Sequence, residues 1–247
     1  MEEKKKIFRP NYSSRALNGI KTLAGFCLEL LPFPRNEPKI RISWESDKLD
    51  SKISMKIKIS GGKIDENRLK SIMDDAESGS QIKIKGTEIP KRFRHEKAFS
   101  SFKSIEYQDA KWVQIEDLYN LKNAKSVKLG ANNDFTNSEY NMLIENWLFK
   151  EWDMFEKLEI PRYKLVSLRL HHVLEDVEVV TVKRGGQYKY VFLAKNQEKR
   201  KNTVGIVYWK KGTFFMETMN PKDYCNLDQG QEAYDMLLEM KKEKENK

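Results

Sequence analysis

Short runs in which apolar and polar residues alternate are the feature that most constrains the fold of this chain. A period of two is typical of β-strands, because successive side chains point to opposite faces of a sheet. Six such runs occur between residues 40 and 160. Their apolar members are Ile40, Ile42 and Trp44, then Met55, Ile57 and Ile59, then Ile82 and Ile84, Ile105 and Tyr107, Val127 and Leu129, and Leu158 and Ile160. The sequence therefore predicts several short strands, each with one buried face.

The segments between the later strands have helical periodicity. "KIDENRLKSIMDDAESG" places Leu69, Ile72 and Met73 on one side of a helix. Thr136 and Glu139 form a T-x-x-E capping box at the start of another helix. We therefore predict a strand over 126–129, a helix over 137–150 and a strand over 157–160, an arrangement that normally gives parallel neighbours.

The spacing of the strands indicates a repeat. Equivalent apolar positions follow one another at intervals of 17, 25, 23, 22 and 31 residues, near the length of a leucine-rich repeat. The predicted fold class is α/β, as an irregular leucine-rich-repeat-like solenoid of short parallel strands and helices. From about residue 165, strong alternation and the turns "RGGQ" and "KKGT" predict an antiparallel β meander that closes the solenoid. A final helix should begin at Asp228 or Gln229.

The predicted domain organisation has two parts. Residues 1–35 form an arm and a helix that begins at Ser13 or Ser14, continues to Leu31 and is ended by Pro32 and Pro34. Residues 36–247 form a single repeat-like domain.

The mixing of acidic and basic residues along the chain argues against one dedicated binding face for nucleic acid. The 37 acidic residues are interspersed with 46 basic ones, at a net charge of +9.

The cellular environment can also be inferred. No apolar run approaches the roughly 20 residues that cross a bilayer, and the first residues do not resemble a signal peptide. The two cysteines, Cys27 and Cys225, lie far apart in the sequence. We expect an intracellular protein, cytoplasmic or nuclear, with free thiols and no membrane partner.

Candidate catalytic groups are few. His171 and His172 are followed by Glu175 and Asp176, but neighbouring residues of a predicted strand face opposite sides and cannot easily share one metal ion. "SGGK" (60–63) lacks the remainder of a phosphate-binding loop. No catalytic, cofactor-binding or metal site is predicted, no cofactor is expected, and we do not expect an enzyme.

Two basic clusters leave an alternative open. "KRFRHEK" interleaves Phe93 with Lys91, Arg92 and Arg94, and "EKRKN" follows in a charged loop near residue 200. Interleaved arginine and aromatic side chains can hold a nucleic-acid backbone and stack on a base. The alternative hypothesis is therefore a basic nucleic-acid-binding protein that uses residues 91–103. The interpretation without a binding role is that these basic residues form a solvated edge of the fold.

Residues 112–160 contain a recognisable set of residues, namely Trp112, Asp117, Leu118, Asn123, Phe135, Thr136, Trp147, Leu158 and Ile160. With this set, the segment resembles the type 2 F-box-associated domain of the nematode F-box protein family. The resemblance extends loosely over about 105–220. It implies the substrate-recognition part of a ubiquitin-ligase receptor, in which an F-box would dock on the adaptor of a cullin-type ligase. The Leu-Pro segment of an F-box is not recognisable before Ser13, and residues 1–35 contain at most an F-box remnant.

The outward-facing residues of the predicted strands suggest where a partner would bind. The row consists of Lys58, Lys83, Glu106, Lys128 and Glu159. Its mixed charge would suit a protein surface. We therefore predict a non-enzymatic protein-interaction module, with an unknown protein target, that binds through this row.

Overall fold

The computed structural model describes residues 27–29, 37–46, 53–162 and 169–245. Their strands form one sheet of eleven strands in the order β1-β2-β3-β4-β5-β6-β7-β11-β10-β9-β8. The strands are β1 (Cys27–Glu29), β2 (Lys39–Ser46), β3 (Ile53–Ser60), β4 (Ser80–Lys85), β5 (Phe102–Tyr107), β6 (Ala124–Leu129), β7 (Phe155–Pro161), β8 (Val180–Arg184), β9 (Gln187–Leu193), β10 (Val204–Lys210) and β11 (Thr213–Met219).

The helices of the described part of the chain are mostly short. They are α1 (Glu66–Asp74), α2 (Lys97–Ser100), α3 (Ile115–Leu118), α4 (Asn137–Phe149), α5 (Leu170–Val173), α6 (Pro221–Cys225) and α7 (Gly230–Glu245). Three of them, α2, α3 and α5, have only four residues each. Helices α1 to α4 lie in the connections between the parallel strands.

The middle of the sheet is parallel. Strands β3 to β7 are hydrogen-bonded neighbours in chain order. Their apolar residues form a row in register, made of Ile57, Ile82, Ile105, Val127 and Leu158, and every member is at most 2% exposed. This row packs with Leu69 of α1 and Leu143 of α4 in the main core. The predicted alternation of the strands is therefore present.

The C-terminal strands are antiparallel, and the last of them closes onto the parallel part. Strand β11 pairs with β7, β10 pairs with β11, and β9 and β8 follow outward. A second core covers the opposite face of this end of the sheet, where Val191 and Ile206 pack with Ala233 and Leu237 of α7. Helices therefore cover one face at the parallel strands and the other face at β8 to β10.

The predicted leucine-rich-repeat-like solenoid is wrong. A solenoid of this kind repeats one strand and one connector throughout, whereas the described residues form a single mixed sheet with antiparallel pairs at both ends, including β1–β2 and β2–β3. The helical content is also too small, because several connectors contain only a four-residue turn of helix. The predicted N-terminal helix lies mostly outside the described residues, and its residues 27–29 form strand β1.

Helix α4 is the element that the sequence predicted best. The Thr136 hydroxyl accepts a hydrogen bond from the Glu139 amide, and the Glu139 carboxylate accepts one from the Thr136 amide, which confirms the capping box. The Phe135 and Tyr140 rings meet edge to face with centroids 6.0 Å apart, at the two staple positions. Trp147 is fully buried and packs edge to face on Phe192 of β9. Helix α4 therefore joins the parallel and antiparallel halves of the sheet.

We predict that Trp147→Ala lowers the free energy of unfolding by about 3–5 kcal/mol, because it opens a large cavity where the two halves meet. Phe149→Ala provides the matched control, since Phe149 lies two residues away on the same helix and is 62% exposed. The control should stay within about 0.5 kcal/mol of the wild type. Urea unfolding, monitored by circular dichroism, measures the free energy of unfolding of both variants. Equal losses of this free energy in the two variants would contradict the assigned role of Trp147.

Candidate functional site

The five residues of the predicted binding row lie side by side across five neighbouring strands. Lys58 pairs in register with Lys83, Lys83 with Glu106, Glu106 with Lys128, and Lys128 with Glu159. Neighbouring strands lie about 4.8 Å apart, so the row spans roughly 19 Å. We call these five residues the charged row.

The charged row lies on the sheet face opposite the main core. Its members alternate along each strand with the buried row of Ile57, Ile82 and their neighbours. Lys58 and Lys128 are exposed, while Glu106 and Glu159 are about three-quarters or more buried, with 24% and 18% of their side chains exposed. We call this side of strands β2 to β7 the open face.

Each carboxylate of the charged row is held by two lysines. Glu106 contacts Lys83 at 2.5 Å and Lys85 at 2.9 Å. Glu159 contacts Lys157 at 2.8 Å and Lys128 at 3.2 Å. Partial burial raises the pKa of each carboxyl, but the hydrogen bonds and charges of the lysines outweigh burial and leave both pKa values below the ordinary range. Both glutamates are therefore anionic at neutral pH, and the row has a fixed pattern of charge.

The end of the open face at β2 to β4 is strongly cationic. A depression of about 320 Å³ is lined there by Lys39, Arg41, Lys58, Lys83 and Lys85, together with Ile59 and Ser60. Arg41 pairs in register with Lys58 and so continues the charged row onto β2. The sequence prediction did not include Lys39, Arg41 or Lys85. Their alternation with buried Ile40 and Ile84 was the signal that could have identified them.

The opposite end of the row is aromatic. Glu159 pairs in register with Phe215 of β11, and Phe215 pairs with Tyr208 of β10. The two rings stack with centroids 4.9 Å apart, and the Lys189 ammonium lies 4.4 Å from the centre of the Tyr208 ring. The Tyr208 hydroxyl donates a hydrogen bond of 2.7 Å to Glu217, and burial, followed by this carboxylate, raises the tyrosine pKa. The row therefore runs from cations through mixed charge to aromatic rings.

The residues of the nucleic-acid alternative do not form a stacking surface. Phe93 is completely buried and meets Trp112 edge to face at 5.2 Å. Arg94 donates hydrogen bonds to the main-chain carbonyls of Phe93 and Trp112, and Lys97 donates one to the carbonyl of Asp74. The one aromatic side chain between the arginines of this cluster thus belongs to the core, and Arg94 and Lys97 are hydrogen-bonded to main-chain carbonyls of neighbouring segments.

The histidine pair lies in a helix and not in the predicted strand. His171 and His172 belong to α5, with ring centroids 4.2 Å apart, and Nδ1 of His172 is 4.0 Å from the Glu175 carboxylate. The prediction of a strand here is wrong, because the first strand that follows β7 in the described residues is β8 (Val180–Arg184). Residues 163–168 lie outside the described part. Among the described residues, no group of three histidine, cysteine or acidic side chains is placed to hold a metal ion.

The thiol that the structure describes is not activated. Cys225 ends helix α6 and is half-buried. Burial, and to a lesser degree the Asp235 carboxylate, raises the pKa of the Cys225 thiol. A raised pKa keeps the thiol protonated and weakens it as a nucleophile. The side chain of Cys27 lies outside the description.

Comparison with family models, with curated proteins and with solved structures finds no match to this chain. The resemblance to the F-box-associated domain therefore stays a prediction. None of the helices that the structure describes is both long and apolar enough to span a membrane.

We predict that the charged row contributes to acid sensitivity. The pKa of Glu106 is lowered in the folded chain, so the stability it contributes is present above its unfolded pKa of about 4.5 and is lost as pH falls through the lower folded value. Glu106→Gln should therefore flatten the fall in unfolding free energy between about pH 5 and pH 3, by up to about 1 kcal/mol because the pair is partly exposed.

Urea titrations at several pH values measure this effect. A parallel series at high salt should reduce the difference between wild type and variant, since exposed ion pairs are screened. Identical pH slopes for the two proteins at low salt would show that the Lys83 and Lys85 contacts do not stabilise the fold.

Proposed function

We propose that this chain is a non-enzymatic protein-interaction module that binds its partner on the open face of the sheet. The observation that carries the proposal is the register of the charged row, which places Lys58, Lys83, Glu106, Lys128 and Glu159 in one line on the surface. No chemistry is required of these residues. They provide charge at fixed positions on a rigid sheet.

The pattern of charge favours a protein partner. A nucleic-acid backbone is uniformly negative, and the two carboxylates among the five residues of the row would repel it. A protein surface can instead place basic groups opposite Glu106 and Glu159 and acidic groups opposite Lys58 and Arg41. Because both carboxylates already contact lysines, a partner would exchange contacts in an existing network and would not have to desolvate isolated charges.

The resemblance to the F-box-associated domain agrees with a binding role but concerns the scaffold. Of its matching residues, Trp112, Phe135 and Trp147 are buried, and Thr136 caps helix α4. These residues explain why the fold forms and say nothing about the partner. A role as the substrate receptor of a ubiquitin ligase, with the ligase adaptor as a second partner, is therefore proposed on the resemblance alone.

Nucleic-acid binding is the second candidate, and one observation favours it. The depression at β2 to β4 is lined by Lys39, Arg41, Lys58, Lys83 and Lys85, which could contact phosphates. The site would then lie on the open face and not at residues 91–103, where Phe93 is buried.

We predict that reversing two charges of the row strongly reduces capture of the partner. Lys58→Glu combined with Lys128→Glu suits this test, because Glu106 keeps Lys83 and Lys85, and Glu159 keeps Lys157. Juxtaposed like charges cost several kcal/mol, so recovery of a specific partner from cell extract should fall at least about tenfold. Quantitative mass spectrometry of immobilised wild type and variant measures the change.

The matched control is Lys111→Glu combined with Lys122→Glu, two exposed lysines of the connection between β5 and β6, outside the strands, that change the net charge equally. Extracts are treated with nuclease beforehand, so that a partner held through nucleic acid is lost from every sample. Equal loss of partners in both double variants would indicate an effect of net charge only. Partners retained by the row variant would contradict the proposed surface, and the ligase adaptor among row-dependent partners would support the receptor role.

A further inference from the structure

Strand β8 forms one end of the sheet. It pairs with β9 through Val180 to Arg184, and the described residues place no strand on its other side. The end strand at the opposite side of the sheet, β1, has three residues, whereas β8 has five. At about 3.4 Å per residue, β8 offers an edge of roughly 17 Å.

The turn between β8 and β9 fixes which backbone groups point outward. Gly185 and Gly186 both have positive φ, of 59° and 74°, as a two-residue type I′ hairpin requires. The residues that flank such a turn, Arg184 and Gln187, exchange hydrogen bonds, and bonded and non-bonded pairs then alternate along the strands. Val182 and Val180 therefore bond to β9, while Thr181 and Lys183 direct their amide and carbonyl groups to the outer edge.

Neither proline nor a bulge protects this edge. Exposed edges are usually blocked by lysine or other charged side chains, by proline or by a bulge. Strand β8 contains no proline, and its register with β9 is unbroken from Val180 to Arg184. Both of its charged side chains have partners within the chain: the Lys183 ammonium lies over β9, 5.7 Å from the centre of the Tyr188 ring, and Arg184 donates a hydrogen bond to the main-chain carbonyl of Asp228.

A groove of mixed polarity runs beside the same edge. It has a volume of about 360 Å³ and lies between β8 and helix α7. Its apolar lining includes Val180 and Val182 of the strand and Ala233, Met236 and Met240 of the helix, and its polar lining consists of Thr181, Lys183, Gln229 and Glu232. Met236 is 48% exposed. A strand added next to β8 would direct every second side chain toward these methionines, whose flexible side chains adapt to different apolar partners.

We propose that the β8 edge and the α7 groove together bind an extended peptide, which adds to the sheet as an antiparallel strand. Its backbone bonds to Thr181 and Lys183, and its alternate apolar side chains enter the groove between β8 and α7. The occupant is a peptide strand because two independent features of the site favour one: the backbone donors and acceptors of β8 that point outward, and the apolar side chains of α7 that line the groove beside them. This site is separate from the charged row and does not depend on the function proposed for it.

The test uses a fluorescein-labelled peptide in which leucine alternates with threonine over seven residues, with a lysine at each end for solubility. The leucines would face α7 and the threonine amides would face β8. We expect saturable binding in fluorescence anisotropy. N-methylation of the threonine amides should weaken binding at least about tenfold, because it removes the hydrogen bonds to β8. N-methylation of the leucine amides modifies the outer edge of the added strand and should have a smaller effect.

Variants of the protein test the same contacts from the other side. Thr181→Pro removes an outward amide without removing a bond to β9 and should weaken binding about tenfold, whereas Thr181→Ala keeps the amide and should bind normally. Met236→Glu should also weaken binding, because it introduces a charge into the groove. The Lys58→Glu and Lys128→Glu double variant should bind the probe as the wild type does.

Hydrogen exchange keeps the test decisive if Thr181→Pro does not fold. In the wild type, bound probe should slow exchange of the Thr181 and Lys183 amides, with little change at Val182. Absence of binding, equal effects of the two methylated peptides, or protection spread evenly over β8 would each overturn the proposal. Self-association of the wild type that Thr181→Pro abolishes would also overturn it, since the occupant would then be a second copy of β8.

Discussion

The in-register pairing of strands β3 to β7 is the constraint on which the rest of the structure depends. One register places Ile57, Ile82, Ile105, Val127 and Leu158 in a row on the core side, and the same register places the charged row on the other side. A slip of one residue in any of these strands would bury a lysine or glutamate and expose an isoleucine, valine or leucine. The surface pattern is therefore as well determined as the core, although the energy that determines it comes from the core.

Helices cover one face of the sheet at β3 to β7 and the other face at β8 to β10. This change of face follows from the sequence of β10. Parallel strands β3 to β7 are apolar on one side only, so helices α1 to α4 suffice to cover them. Strand β10 is buried on both sides, from Val204 to Tyr208 without interruption. Its second face needs a cover that the connectors of the parallel strands cannot supply, and α7 provides it through Ala233 and Leu237. Helix α7 thus lies on the same side of the sheet as the open face and marks where that face ends.

The sequence predicted the faces of the strands, the parallel pairing of β6 with β7 and the antiparallel C-terminal strands, but it did not predict the antiparallel pair β2–β3 or the place of β11 beside β7. Alternation determines which side chains are buried, and the capping box determined the start of α4, because both are local properties. Alternation does not determine whether neighbouring strands run parallel or antiparallel, and for this reason the pattern also agreed with a solenoid. One local signal argued against it: only residues 47–52 separate β2 from β3, and a parallel connection needs a dozen residues or more. The insertion of β11 beside β7 had no local signal, because it depends on contacts between residues about 55 positions apart.

Met236 shows where sequence reasoning about a site reaches its limit. Ala233, Met236 and Leu237 are all apolar, and the sequence alone does not determine which of them α7 buries. At about 100° per residue, Leu237 lies roughly 40° from Ala233 on the helix, whereas Met236 lies about 60° away on the other side. Met236 is therefore at the flank of the stripe, where burial depends on what the neighbouring strand covers. Because β8 is the last strand of the described sheet, nothing there covers this flank, and the methionine faces the groove instead of the core. A pattern of apolar residues can place a side chain at a flank, but only the order of strands decides whether the flank is core or binding surface.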